Sequence, residues 1–168
     1  ARYVERAEDV ARILDVNETF SRDSRGDQNW RSVLQIYADQ PRFFAAHEEA
    51  TAEAVIHFYT LDSSNPASIL NNIGQARSNA RMLRPLISTE MWTQLNIFYN
   101  RLRQMAPREV AEPRLSRFCG FVKEGCQTHT GITEGTFFRD EGWPFYRLGR
   151  ALERADQTTR LLDVKYHL

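Results

Sequence analysis

The side chains best suited to chemistry sit in two segments at opposite ends of the chain. Residues 2–16 read RYVERAEDVARILDV and residues 150–164 read RALERADQTTRLLDV. At a constant offset of 148, Arg2, Glu5, Arg6, Ala7, Arg12, Leu14, Asp15 and Val16 recur as Arg150, Glu153, Arg154, Ala155, Arg160, Leu162, Asp163 and Val164, and Glu8 is answered by Asp156. On a helix, Glu5, Glu8, Arg12 and Asp15 share one stripe, as do Glu153, Asp156, Arg160 and Asp163. Each stripe therefore offers carboxylates for general acid/base work or for ion pairing. Chance likeness between amphipathic helices preserves apolar positions but not five charges in register. Duplication is the expected origin, with the two helices packed side by side around a pseudo-two-fold axis. A solvated stripe would contribute only tenths of a kcal/mol and would tolerate permutation of its charges. The repeated identities favour a stripe at least partly buried between helices, where an unpaired charge is costly.

A second group is Arg77, Arg81 and Arg84, spaced four and three along one helix face beside Asn79. Their guanidinium groups could neutralise the acidic stripes, which is the favoured reading, bind a phosphate or carboxylate ligand, or form a plain solvated face. A di-metal site of the ferritin type needs Glu-x-x-His on facing helices. Phe44, Ala54, Cys126 and Val164 precede His47, His57, His129 and His167 at that spacing, so no metal is expected. His47 and His57 are expected to be satisfied core or edge residues of one helix. Cys119 and Cys126, seven apart on a helix, lie beyond disulfide reach and are expected to be reduced core thiols. The segment Thr133–Trp143 holds Arg139, Asp140 and Glu141 among glycines and aromatics, which suits a binding edge. No phosphate-cradling glycine motif is present, so neither ATP nor another cofactor is expected.

These groups need helices to position them. Periodic apolar residues predict a helix over 1–20, a polar loop over Ser21–Gln28, a short helix around Trp30–Tyr37, and a helix from Phe43 to Leu61. Asn65 and Pro66 suggest the cap and first turn of the next helix, whose seam is Ile69, Ile73, Ala76, Ala80, Leu83 and Ile87. A fifth helix follows through Met91, Leu95, Phe98, Leu102 and Met105, and a sixth through Leu115, Phe118, Val122 and Cys126. A Gly/Thr-rich loop (GITEGTFFRDEGW) leads to Pro144 and the last helix. No strand alternation occurs. The fold class is all-α, an antiparallel helical bundle of about six to seven helices.

The chain has 168 residues, with 22 Lys+Arg against 22 Asp+Glu, 42% hydrophobic and 26% charged. That is a single soluble domain. Zero net charge argues against binding nucleic acid by bulk electrostatics. No run is long enough to span a membrane and no signal-peptide layout is present, so a cytoplasmic location is expected. Twenty of the 22 basic residues are arginine, which fits ion networks or a GC-rich coding bias.

RYVERAE and LGRALERADQTTRLLDVKYHL resemble the paired Glu-Arg signatures of the bacterial Alpha-E family, an all-helical domain. SSNPASILNNIGQARSNARMLRPLISTEMW resembles that family's central helix pair, and GITEGTFFRDEGWPFYRLGR its lead into the second Glu-Arg helix. The chain departs at Ser78 and Pro85, where the resemblance implies acidic side chains. It also implies that residues 1–168 are the N-terminal part of a longer protein. By context, the resemblance implies partnership with a circularly permuted ATP-grasp protein and with transglutaminase-like peptidases in peptide synthesis or modification.

Two functions follow as expectations. The first is a non-catalytic accessory domain that docks an ATP-grasp ligase, its peptide, or both. The alternative is an enzyme of the same pathway using the Glu-Arg carboxylates for acid/base or hydrolytic chemistry. Charges paired between helices favour the first, and an unpaired carboxylate at an open pocket favours the second. A fragment with an apolar strip on its terminal helices would be expected to self-associate as a homo-oligomer.

Overall fold

The computed structural model describes residues 1–23 and 30–167. Among them lie nine α-helices and no strand: α1 (Arg2–Asp23), α2 (Arg31–Ile36), α3 (Gln40–Phe44), α4 (Ala52–Thr60), α5 (Ile69–Met82), α6 (Thr89–Arg103), α7 (Pro107–Val110), α8 (Leu115–Thr136) and α9 (Gly142–His167). A 3₁₀ turn, Arg84–Leu86, joins α5 to α6. The all-α class holds, with more helices than the six or seven expected. The additions are one-turn pieces begun by Pro41 and Pro107, too short for hydrophobic period to register. Ser21–Asp23 extend α1, and the remainder of the loop expected at Ser21–Gln28 lies outside the described residues.

Capping chemistry explains the other boundary differences. The helix expected from Phe43 to Leu61 divides, because Thr51 turns extended and its hydroxyl accepts the Ala54 N–H at 3.3 Å, starting α4 anew. His47 therefore leaves the helix of His57 and stacks on Phe43 at 4.5 Å. Ser68, rather than Asn65, caps α5, accepting the Asn71 N–H at 3.2 Å. Asn65 is buried and holds the preceding turn: its Nδ2 donates to the Phe58 carbonyl at 2.8 Å and its Oδ1 accepts from Ala67 N at 3.0 Å. The Gly/Thr-rich loop is mostly helical. α8 runs on to Thr136, where the Thr133 and Thr136 hydroxyls are satisfied inside the helix by carbonyls one turn back, at 2.8 and 2.7 Å. α5 stops at Met82, before the Pro85 turn.

α1 is the central element, packing on α5, α8 and α9, while α6 packs on both α5 and α8. Its Ala7, Ala11 and Leu14 are fully buried. Because neighbours surround it, three of its glutamates, Glu5, Glu8 and Glu18, are buried as well. α8 approaches α6 closely at Gly125, where an added Cβ would lie 2.7 Å from the Phe98 ring. α9 packs chiefly on α1 and α2, and reaches α8 through the Arg150–Glu134 pair at 2.8 Å. Its other face exposes Phe145, Leu148, Leu152 and Leu162. No helix among the described residues is long and apolar enough to cross a membrane.

Candidate functional site

The two Glu-Arg segments meet where α1 crosses α9. Glu153 accepts from Arg6 Nε at 2.6 Å, Arg6 Nη2 at 3.0 Å and Arg2 Nε at 3.0 Å, and also from Gln157 Nε2 at 3.2 Å. Glu5 accepts from Arg150 Nε at 2.6 Å, Arg154 Nε at 2.7 Å and Arg154 Nη2 at 3.4 Å. The pairing is reciprocal. Each segment reads R-x-x-E-R, and its glutamate takes the two arginines of the other. In this spacing one arginine lies about a turn before its own glutamate and the other directly follows it, about 100° round the helix, and both reach across the helix contact to the other segment's glutamate.

The carboxylates are sheltered, with side-chain exposures of 0% for Glu153 and 5% for Glu5. Each has one sheltered arginine, Arg6 at 28% or Arg150 at 18%, and one outer arginine, Arg2 at 56% or Arg154 at 61%. Burial opposes ionisation of Glu153, but the bonds from Arg6, Arg2 and Gln157 outweigh it and hold the carboxyl below its ordinary range. Burial likewise works against the charge on Arg6 and Arg150, and bonding to Glu153 and Glu5 more than restores it. Glu5 and Glu153 are thus buried between the two helices, and Glu8 is buried too, bonded by Arg12 at 2.5 Å along α1 and by Gln127 Nε2 of α8 at 3.3 Å. Burial does not extend to the whole stripe: Asp156 pairs with Arg160 at 3.0 Å along α9, and Asp163 is exposed. Asp15 faces α8, bonded by Lys123 Nζ at 2.6 Å and Ser116 Oγ at 2.8 Å.

The arginines of α5 do not neutralise these stripes, contrary to the favoured expectation. Arg77 donates to Asn96 at 2.8 Å and lies over the Trp92 and Tyr99 rings of α6, Arg84 lies over Trp92, and Arg81 is exposed. The physical reason is that Glu5 and Glu153 are already saturated by their own partner segment, while Arg77 of α5 and Arg84 of the following 3₁₀ turn face the aromatic side of α6 and Arg81 faces solvent.

Two concavities flank the crossing. The larger, about 800 Å³, lies beside the starts of α1 and α9 and the ends of α5 and α8. Its wall is largely apolar, including Ala80, Leu83, Leu86, Met91, Phe145 and Tyr146, with Asn79, Asp140 and Glu141 among its polar residues. His129 lines it too, 4% exposed, with Nδ1 unbonded; burial drops this imidazole to a pKa of about 3, so it is neutral. The smaller, about 360 Å³, lies between α1 and α9 beside the Glu-Arg pairs and is lined by Asp9, Arg12, Arg154 and Gln157 among others. Burial, reinforced by Glu5 and Glu8, pushes the Asp9 carboxyl up to about 6.

Of the residues singled out by sequence, the crossing gathers Glu5, Arg6, Glu153 and Arg154, with Glu8 and Arg12 at the small cleft. Asn79 and Asp140 are brought instead to the large groove. Arg139 stacks over Trp143 at 4.3 Å, and Asp140 accepts the Gly142 N–H at 2.9 Å, starting α9. Both cysteines are free and buried; burial pushes the Cys119 thiol up to about 12 and Cys126 well above its ordinary value. Among the described residues, no group of three or more His, Cys, Asp or Glu is placed to hold a metal ion. The sequence reading passed over Asp9 and Gln157, and weighed His129 only as a metal ligand or a base beside Cys126. Asp9 and Gln157 hold matching positions at the offset of 148, a signal hidden because their residue types differ.

A family model, Alpha-E, described as a predicted alpha-helical domain with a conserved ER motif, matches residues 1–168. The chain belongs to that family, and the reciprocal bonds of Glu5-Arg6 and Glu153-Arg154 give its ER motif a physical meaning. No curated protein and no solved structure matches the chain.

Proposed function

We propose that this Alpha-E domain is a non-catalytic accessory module, a rigid helical body that docks a partner protein at the groove between α1, α5, α8 and α9. The partner proposed is a circularly permuted ATP-grasp protein, or a transglutaminase-like protein acting with it, in peptide synthesis or modification. A cytoplasmic location suits such ATP-dependent chemistry, and the matching registers of α1 and α9 suit an origin by duplication.

The observation that carries the reading is the division of labour between the two regions. The two glutamates of the repeated segments, Glu5 and Glu153, are each closed by two guanidinium groups between helices, an arrangement that locks the helices together and leaves neither of them free to act as a base. The larger of the two concavities beside the crossing is instead mostly apolar with a few polar groups, the usual character of a recognition site. Leu86 and Phe145 stand 64% and 74% exposed at this groove, ready to be covered. Catalysis by the Glu-Arg carboxylates would require breaking a paired, desolvated bond set.

The test is co-purification with the ATP-grasp protein and titration by light scattering. Leu86→Asp and Phe145→Asp should each weaken binding about tenfold or more, as loss of an apolar anchor does, with unchanged melts. Absence of binding by the parent, or binding untouched by both substitutions, overturns the docking reading. Ligation or hydrolysis by the isolated domain would favour the catalytic alternative.

A further inference from the structure

The arginines of the α5/α6 pair are used neither by the crossing nor by the docking groove. From Ile69 to Arg103 the chain carries five arginines, no lysine, no aspartate and a single glutamate, although its overall net charge is zero. That glutamate, Glu90, lines the concavity between α6 and α8 together with Arg101. Trp92, Asn96, Tyr99 and Arg103 form a different stripe of α6, spaced four, three and four. It is this stripe that Arg77 and Arg84 meet.

The contacts there hold the cations in place without neutralising them. Arg77 donates Nε–H to Asn96 Oδ1 at 2.8 Å, and its guanidinium carbon lies 5.5 Å from the Trp92 ring centre and 5.3 Å from that of Tyr99. Arg84 lies 5.6 Å from the same Trp92 ring. Tyr99 in turn lies against α5, where an added Cβ at Gly74 would come within 3.1 Å of its ring. Ring stacking occupies the face of a guanidinium and leaves its edge N–H groups available. Among the described residues, none of Arg77, Arg81 and Arg84 pairs with a carboxylate, in contrast to the arginines of the crossing.

We propose that this face docks an acidic helix of a partner protein, one that sets glutamate or aspartate side chains at the four-and-three spacing of Arg77, Arg81 and Arg84. A row of forked donors one turn apart is matched by carboxylates one turn apart. Stacking has already restricted two of the forks, so less freedom is lost on binding. Small anions bind in concave sites, and these three arginines line neither the large groove nor the α6/α8 concavity. Single-stranded nucleic acid needs open aromatic faces for its bases, and Trp92 is already taken by Arg77 and Arg84. The face is distinct from the docking groove, and its occupancy does not depend on that reading.

The experiment is a nuclear magnetic resonance titration of the folded domain near neutral pH at constant ionic strength. The probes are a capped helical peptide with three glutamates at four-and-three spacing, its glutamine counterpart, inorganic phosphate, and a short single-stranded oligonucleotide. The glutamate peptide should give saturable shifts at the Trp92 indole N–H and the Arg77 and Arg84 Nε–H groups, and the glutamine peptide should not. Arg81→Gln and Arg84→Gln should each weaken it about threefold and together about tenfold, the scale of exposed charge pairs, with unchanged circular dichroism. Arg108→Gln, at an exposed arginine of α7, should leave affinity unchanged. Absence of saturable shifts, an equal response to the glutamine peptide, or an equal loss in Arg108→Gln overturns the proposal. So does tighter binding of phosphate or of the oligonucleotide than of the glutamate peptide, since the face would then serve a different anion.

Discussion

Replacing Glu153 with alanine removes the carboxylate at the centre of one half of the α1/α9 crossing. Four hydrogen bonds vanish: two from Arg6, one from Arg2 and one from Gln157. Arg2 is 56% exposed and recovers water readily, so it adds little. Arg6 is only 28% exposed, and Gln157 is buried with its other polar atom already unbonded. Breaking a buried pair by truncating one partner costs about 3–5 kcal/mol. The remaining exposure of Arg6 lets water repair part of the loss, so about 3 kcal/mol is expected. For a chain of this size that lowers Tm by roughly 6–12 °C. Because Glu153 is held below its ordinary range, its stabilisation is present above the unfolded carboxylate value of about 4.3 and is lost as pH falls through the lower folded value. The parent should therefore lose stability in acid and converge on the mutant. Urea unfolding at pH 7 and pH 3 measures both differences, and a double-mutant cycle with Arg6→Ala should return a coupling of at least ~1 kcal/mol. A Glu153→Ala midpoint equal to the parent's at pH 7, with an unchanged m-value, would refute the buried crossing as a source of stability.

Asp9→Asn should act oppositely. Its folded carboxyl is raised to about 6, so stability is lost as pH rises from the unfolded value through the folded one, and asparagine removes that loss. Discounted for partial exposure, a gain of roughly 1 kcal/mol at pH 7, absent at pH 3.5, is expected in the same urea titrations. Arg81→Gln, at an exposed position, should leave urea stability within about 0.5 kcal/mol of the parent; a cost of several kcal/mol would mean that α5 does neutralise an acidic partner. Gly125→Ala forces a methyl against the Phe98 ring at 2.7 Å and should cost about 1–3 kcal/mol by overpacking, read by thermal melting. Cys119 and Cys126, buried with thiols raised by burial, should resist a thiol reagent at pH 8 and react fully in denaturant, since the thiolate is the nucleophile.

The sequence alone determined the helical class, because apolar residues at three-and-four spacing have one economical burial, and it marked Glu5 and Glu153 as special because their charges recur in register with those around them. It could not place helix boundaries set by side-chain caps. Thr51 and Ser68 act only once the backbone before each helix turns extended, and the Gly/Thr run that composition treats as loop continues α8 to Thr136 because its threonine hydroxyls find acceptors one turn back within the helix. Nor could it choose partners. R-x-x-E-R within one helix is equally compatible with exposed local pairs, as Asp156 and Arg160 in fact form. Only the crossing of α1 and α9 brings the arginines of one segment onto the glutamate of the other, over separations of 145 to 151 residues. Burial is likewise a tertiary property. Asp9 differs from its neighbours Glu5 and Glu8 because the nearby arginines, Arg12 and Arg154, are bonded to those two glutamates, an outcome set by how α1 and α9 cross and by nothing in its own residue type.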